Sequence, residues 1–128
     1  MLMKKKILMV DDERDFCHFV KLNLERSGKY QVYTAYNGAD GVAEAVKSKP
    51  DLILLDVVMH DMDGGEVARH LLNDSATKGI PIIFLTAVLK ATEAEQLRGG
   101  HQFLSKPITP EKLMNKIDAR LGLSPGGC

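Results

Sequence analysis

Leu52-Ile53-Leu54-Leu55 is apolar at every position. A strand with one wet face alternates apolar and polar residues. One that is apolar throughout must be covered on both faces, as in a parallel sheet flanked by helices. Ile7–Val10 and Ile80-Pro81-Ile82-Ile83-Phe84-Leu85 repeat the pattern, with Pro81 near the first strand position, where proline is tolerated. Tyr30–Tyr36, rich in β-branched and aromatic residues, and the short Gln102-Phe103-Leu104 complete a set of five predicted strands.

Helix-length segments separate these runs. Glu13–Ser27 carries Phe16, Val20 and Leu24 four apart on one face and stops at Gly28. After the Asn37-Gly38 turn signal, Ala39–Lys49 carries Val42 and Val46 on one face and ends before Pro50. Asp63-Gly64-Gly65-Glu66 reads as a helix start, with Asp63 as N-cap, Glu66 reaching back, and Val67, Ala68, Leu71 and Leu72 as the apolar face. Ala91–Arg98 is a short predicted helix ended by Gly99-Gly100. Thr109 caps the last helix, Pro110 takes its first position, and Ile108 and Leu113 are placed as a hydrophobic staple. Leu113, Ile117 and Leu121 form its buried stripe, and Ser124-Pro125-Gly126-Gly127 cannot continue it. Strand followed by helix, repeated along the chain, predicts a doubly wound α/β domain with right-handed crossovers.

A chain of 128 residues that is 45% apolar fits one domain with a real core. Lys+Arg and Asp+Glu both number 17, so the net charge of zero gives no electrostatic case for nucleic acid or an anionic membrane as partner. No apolar run approaches the roughly 20 residues that cross a bilayer. The basic start, Met1 to Lys6, runs into Asp11 too soon for a signal peptide. Cys17, inside a predicted helix, and the terminal Cys128 have no metal-ligand spacing and read as free thiols of a cytoplasmic chain. His18, His60, His70 and His101 are scattered, also without metal spacing.

In open parallel sheets, ligands bind outside the carboxyl ends of the strands. Here those ends carry Asp11-Asp12, Asp56, Thr86 and Lys106-Pro107. Carboxylates packed together repel one another, and a hard cation such as Mg²⁺ relieves that repulsion with oxygen ligands of this kind. A carboxylate can also attack phosphorus to give an aspartyl phosphate, a transfer that needs mainly positioning and charge neutralisation. Lys106 offers an ammonium for phosphoryl oxygens, and Thr86 a hydroxyl donor.

Asp11-Asp12-Glu13, Asp56-Val57-Val58-Met59 with Asp61-Met62-Asp63-Gly64-Gly65, Thr86-Ala87 and Lys106-Pro107, in this order on successive strand ends, resemble the receiver domain of two-component response regulators. The resemblance covers residues 5–122 and leaves 123–128 as a tail or linker stub. It implies a flavodoxin-like (βα)5 sandwich with strand order 2-1-3-4-5. It implies that Asp56 takes a phosphoryl group from a sensor histidine kinase or phosphotransfer protein, and that Asp11, Asp12, Asp56 and the Val58 backbone carbonyl hold Mg²⁺. Lys106, Thr86 and the Ala87 backbone would contact the phosphoryl group, and a cis bond between Lys106 and Pro107 would aim the lysine. Thr86 and Phe103 would form the switch, changing the surface made by the Ala91–Arg98 helix, the fifth strand and the last helix, toward an output domain or partner. Phe103 also fits plain core packing.

The chain departs from the family pattern in places. The stretch between Thr86 and Lys106 is slightly short, around Val88–Gln96. His60 stands where proline is usual and reads as a neutral surface-loop residue, with a role near the phosphorylation site as the lesser alternative, and His101 stands where a small residue is usual. Val58 and Val88 occupy positions that, by the resemblance, tune hydrolysis of the aspartyl phosphate in the family. Both are apolar and cannot orient an attacking water, which predicts a persistent phosphorylated state. Two other readings compete. An Mg²⁺-dependent phosphohydrolase with an aspartyl nucleophile would need a second acid two residues on, where Val58 stands. A flavin-binding module would need phosphate donors after the first strand, where Asp11-Asp12-Glu13 would repel a phosphate.

Overall fold

A computed structural model describes residues 4–87 and 102–123. Along the chain they form β1 (Lys5–Val10), α1 (Arg14–Arg26), β2 (Tyr30–Ala35), α2 (Gly38–Ser48), β3 (Leu52–Asp56), α3 (Gly64–Leu72), β4 (Ile82–Thr86), β5 (Gln102–Ser105) and α4 (Pro110–Leu121). The predicted helix Ala91–Arg98, with Val88, Gly99-Gly100 and His101, lies outside the described residues, as does Ser124–Cys128.

All five strands are parallel, in the order β2-β1-β3-β4-β5. The doubly wound, flavodoxin-like sandwich expected from the sequence is the observed fold. The reversal of strand order beside β1 puts the switch point between β1 and β3. Alternate residues explain the uniformly apolar runs. Ile7, Met9, Leu52, Leu54, Ile83 and Leu85 join the layer with Val20 and Leu24 of α1 and Leu113 and Ile117 of α4. Leu8, Val10, Ile53, Leu55, Ile82 and Phe84 join the layer with Ala45 of α2 and Val67, Ala68 and Leu71 of α3.

Side-chain caps start three of the four described helices, α1 being the exception. Asn37 accepts a hydrogen bond from the Asp40 N–H, Asp63 from that of Glu66, and Thr109 from that of Lys112. Ile108 packs on the same cluster as the buried Leu113, as a staple requires. In two helices the buried face differs from the expected one. Val46 is exposed, and α2 instead buries Gly38, Gly41 and Ala45. A Cβ on Gly41 would stand 2.8 Å from Val10 Cγ1, so small residues on this face let α2 approach the sheet closely. Leu72, in the last turn of α3, is likewise exposed, because Val67, Ala68 and Leu71 already fill that contact. No helix among the described residues is long and apolar enough to cross a membrane.

Candidate functional site

The parallel sheet brings the ends of β1, β3, β4 and β5 to one edge. Ladder-type bonds continue just past the strands: Asp11 N–H donates to the Ala35 carbonyl at 3.1 Å, Val57 N–H to Leu85 at 3.0 Å, and Lys106 N–H to Thr86 at 2.7 Å. The backbone beneath Asp11, Asp56, Thr86 and Lys106 is therefore held by the sheet rather than by a loop.

Asp11 is fully buried. Its Oδ1 accepts from the Glu13 N–H at 2.9 Å, and its Oδ2 from Lys106 Nζ at 2.7 Å. Its backbone carbonyl accepts from the Cys17 thiol at 3.3 Å. Burial, then the charge of Asp11, push that thiol up to about 12, so it stays protonated and is neither nucleophile nor ligand at neutral pH. Asp56 is 6% exposed, with Oδ1 3.8 Å from Lys106 Nζ. Asp12 is only partly buried, and its Oδ2 lies 3.2 Å from His60 Nε2.

Carboxylate oxygens of Asp11, Asp12 and Asp56 lie within 4.8 Å of one another. Opposite ligands of six-coordinate Mg²⁺ are about 4.2 Å apart, from bonds of about 2.1 Å. The donor set is all oxygen and anionic, so these residues fit a hard divalent cation. The electrostatics agree. Burial, followed by repulsion from Asp11, raises Asp56 from 3.8 to about 6, against the opposing pull of Lys106 and the Val58 N–H. Lys106 feels burial first, which favours the neutral amine. Its bonds to Asp11 and Glu13 and the charges of Asp11 and Asp56 outweigh that and raise its pKa, so it remains an ammonium.

Lys106 sits in a cage that its sequence position did not announce. Glu13 Oε1 accepts from Nζ at 2.9 Å, and the ammonium lies 4.5 Å from the centre of the Phe16 ring. The Lys106–Pro107 bond is cis. Thr86 is buried at the end of β4, and Ala87 follows it on the exposed edge. Phe103, half-buried beside them on β5, stacks on Phe84 with ring centres 5.1 Å apart and planes at 17°.

The β3–α3 loop is fastened over the site. Asp61 accepts from the N–H groups of Gly38 and Ala39 at 2.8 and 3.0 Å, so one carboxylate both caps α2 and ties the loop to it. Gly64 N–H donates to the Val57 carbonyl at 2.7 Å, and a Cβ there would stand 2.6 Å from the Asp56 carbonyl oxygen. Val58 rides on this loop with its side chain largely exposed. Sequence reasoning named Asp11, Asp12, Asp56, Thr86 and Lys106, and the structure gathers all five at one edge. It gave no separate role to Glu13, Phe16 or Asp61, and it read His60 first as a surface-loop residue, as its 95% exposed side chain is. The third consecutive acid, Glu13, was the available signal. Spacing did not mark the contacts of Asp61 and Phe16, because their partners are 22 to 90 residues away: Asp61 with Gly38 and Ala39, and Phe16 with Lys106.

A doubly wound sheet with three acids and a lysine at its carboxyl edge defines a small class of α/β domains. Residues 7–118 match the response regulator receiver domain family, and the chain belongs to that family, whose members are signalling domains of two-component systems. It is 37% identical to the protein PilH of Pseudomonas aeruginosa, over 91% of this chain and 97% of that one. It is 38% identical to the alkaline phosphatase synthesis transcriptional regulatory protein PhoP of Bacillus subtilis, over 93% of this chain but 49% of that longer protein. Among solved structures, the chemotaxis protein CheY4 of Vibrio cholerae superposes with a TM-score of 0.83 at 32% identity, covering 91% of this chain and 98% of that one. A two-component response regulator from Clostridium difficile gives 0.85 at 30%, covering 93% and 97%.

Proposed function

We propose that this domain accepts a phosphoryl group on an Asp56 carboxylate oxygen, from the phosphohistidine of a sensor kinase or phosphotransfer protein, and passes the signal on through its surface. The observation that carries this reading is the placement of a buried carboxylate, raised toward neutrality, between two further acids and a held ammonium. Asp11, Asp12, Asp56 and the Val58 backbone carbonyl would hold Mg²⁺, which supplies charge neutralisation for the three acids and the incoming phosphoryl oxygens.

The chain's own groups do the rest. Asp56 is the nucleophile: its oxygen forms the new bond to phosphorus while the bond to the donor's imidazole nitrogen breaks. Lys106 is 3.8 Å from that carboxylate and ready to pair with phosphoryl oxygens, at the expense of its contacts to Asp11 and Glu13. Thr86 and the Ala87 backbone contact the same group. Drawing Thr86 toward it changes the space beside Phe103, whose ring would leave its stack on Phe84. The output is a changed surface on β5 and α4, read by an output domain or a partner protein.

Incubation with a small phosphodonor and Mg²⁺, followed by mass spectrometry, tests this reading. Gain of one phosphoryl group, lost in Asp56→Ala and with a chelator, is expected. An unmodified wild type would refute it.

A further inference from the structure

We infer that His60 gives the acidic edge an imidazole ligand, so that the site takes divalent ions of borderline softness, such as Ni²⁺ and Co²⁺, as well as Mg²⁺. The inference rests on Asp11, Asp12 and Asp56 forming a cation site.

His60 Nε2 stands 3.2 Å from Asp12 Oδ2. Adjacent ligands on a six-coordinate ion with bonds of about 2.1 Å are about 3.0 Å apart. The pair is therefore already spaced as neighbours on one ion. His60 is not itself among the three residues whose ligand atoms all lie within 4.8 Å of one another. Its side chain is 95% exposed, so no packing opposes the ring rotation that would turn its lone pair inward. Its backbone is not free in the same way. Asp61, the next residue, is bonded to two N–H groups at the start of α2, and Gly64 closes the loop onto Val57. The fold thus holds the imidazole's root beside the cluster and leaves only its side-chain torsions to be ordered on binding.

Donor chemistry sets the consequence. Carboxylate and carbonyl oxygens suit Mg²⁺ and Mn²⁺, whereas an imidazole nitrogen favours the later transition ions, whose affinities rise along the series to Cu²⁺. Replacing one water by His60 adds little for Mg²⁺ and much for Ni²⁺.

Titration calorimetry of the full chain with Ni²⁺ and, separately, Mg²⁺ tests this. His60→Ala is expected to weaken Ni²⁺ binding about tenfold or more while changing Mg²⁺ affinity by less than about twofold. His70→Ala, at another exposed imidazole, is expected to leave both unchanged. Asp12→Ala is expected to weaken both ions. Unchanged Ni²⁺ affinity in His60→Ala would overturn the inference. So would wild-type Ni²⁺ affinity in Asp12→Ala, because the exposed ring would then bind alone. A wild type that ignores Mg²⁺ would overturn the Mg²⁺ reading above and the shared site with it, whereas Mg²⁺ binding with Ni²⁺ affinity unchanged in His60→Ala would overturn this inference alone.

Discussion

Asp56→Asn is expected to stabilise the metal-free protein. Asp56 lies at about 6 in the folded chain against an ordinary 3.8, chiefly through burial and secondly through Asp11. The folded state therefore holds this proton more tightly than the unfolded state does. Below the unfolded value both states are protonated and Asp56 costs nothing. As pH rises from about 4 to about 6, the unfolded chain ionises first and stability falls. Above that window the loss is complete. At about 1.36 kcal/mol per pH unit, the interval from 3.8 to about 6 corresponds to about 3 kcal/mol. The amide forfeits part of this, because it accepts the Val58 N–H less strongly and pairs less well with Lys106. A gain of about 1–3 kcal/mol at pH 7.5 remains, or roughly 4–12 °C in Tm for a domain of this size. Urea unfolding of both proteins in chelator, at pH 4 and pH 7.5, measures it. The gap should open with rising pH and, on the proposed Mg²⁺ site, narrow again when Mg²⁺ is added, since a cation held by the three acids would stabilise the folded wild type. Equal stabilities at pH 7.5, or a gap independent of pH, would refute the reasoning.

Four further outcomes follow from particular contacts. Gly64→Ala places a methyl 2.6 Å from the Asp56 carbonyl, and should cost about 2 kcal/mol or more in urea unfolding and slow phosphorylation, because the loop must lift. Tyr30→Phe removes the hydroxyl that donates to the buried Asp118, which Lys29 also pairs, and should destabilise by about 1.5–3 kcal/mol with the fold retained by circular dichroism. Glu13→Gln loosens the Lys106 cage while leaving Asp11 in place, so phosphorylation by a small donor should quicken; a slower rate would show that Glu13 positions the ammonium productively. Val58→Gln, which sets an amide beside the site where an apolar side chain stands, should shorten the lifetime of the phosphorylated form in Mg²⁺ buffer.

The layers were legible in the chain because burial on both faces leaves a local mark. Leu52–Leu55 could be apolar throughout only if helices covered it twice, and the strand–helix alternation then admitted few topologies. The acids were legible for a related reason: a polar residue that ends such a run must lie at the sheet's carboxyl edge. Helix faces were read less well. Val46 and Leu72 satisfied the periodicity, yet Gly41 and Ala45 won the inner position in α2 because closeness to Val10 matters more there than hydrophobicity. The sequence by itself thus determined the sheet, its order of elements and the identity of the carboxylates. Only the tertiary structure decided what holds them: Glu13 and Phe16 around Lys106, Asp61 on α2, His60 against Asp12. Those contacts join residues far apart along the chain through single side-chain atoms, and neither periodicity nor spacing records where such atoms meet.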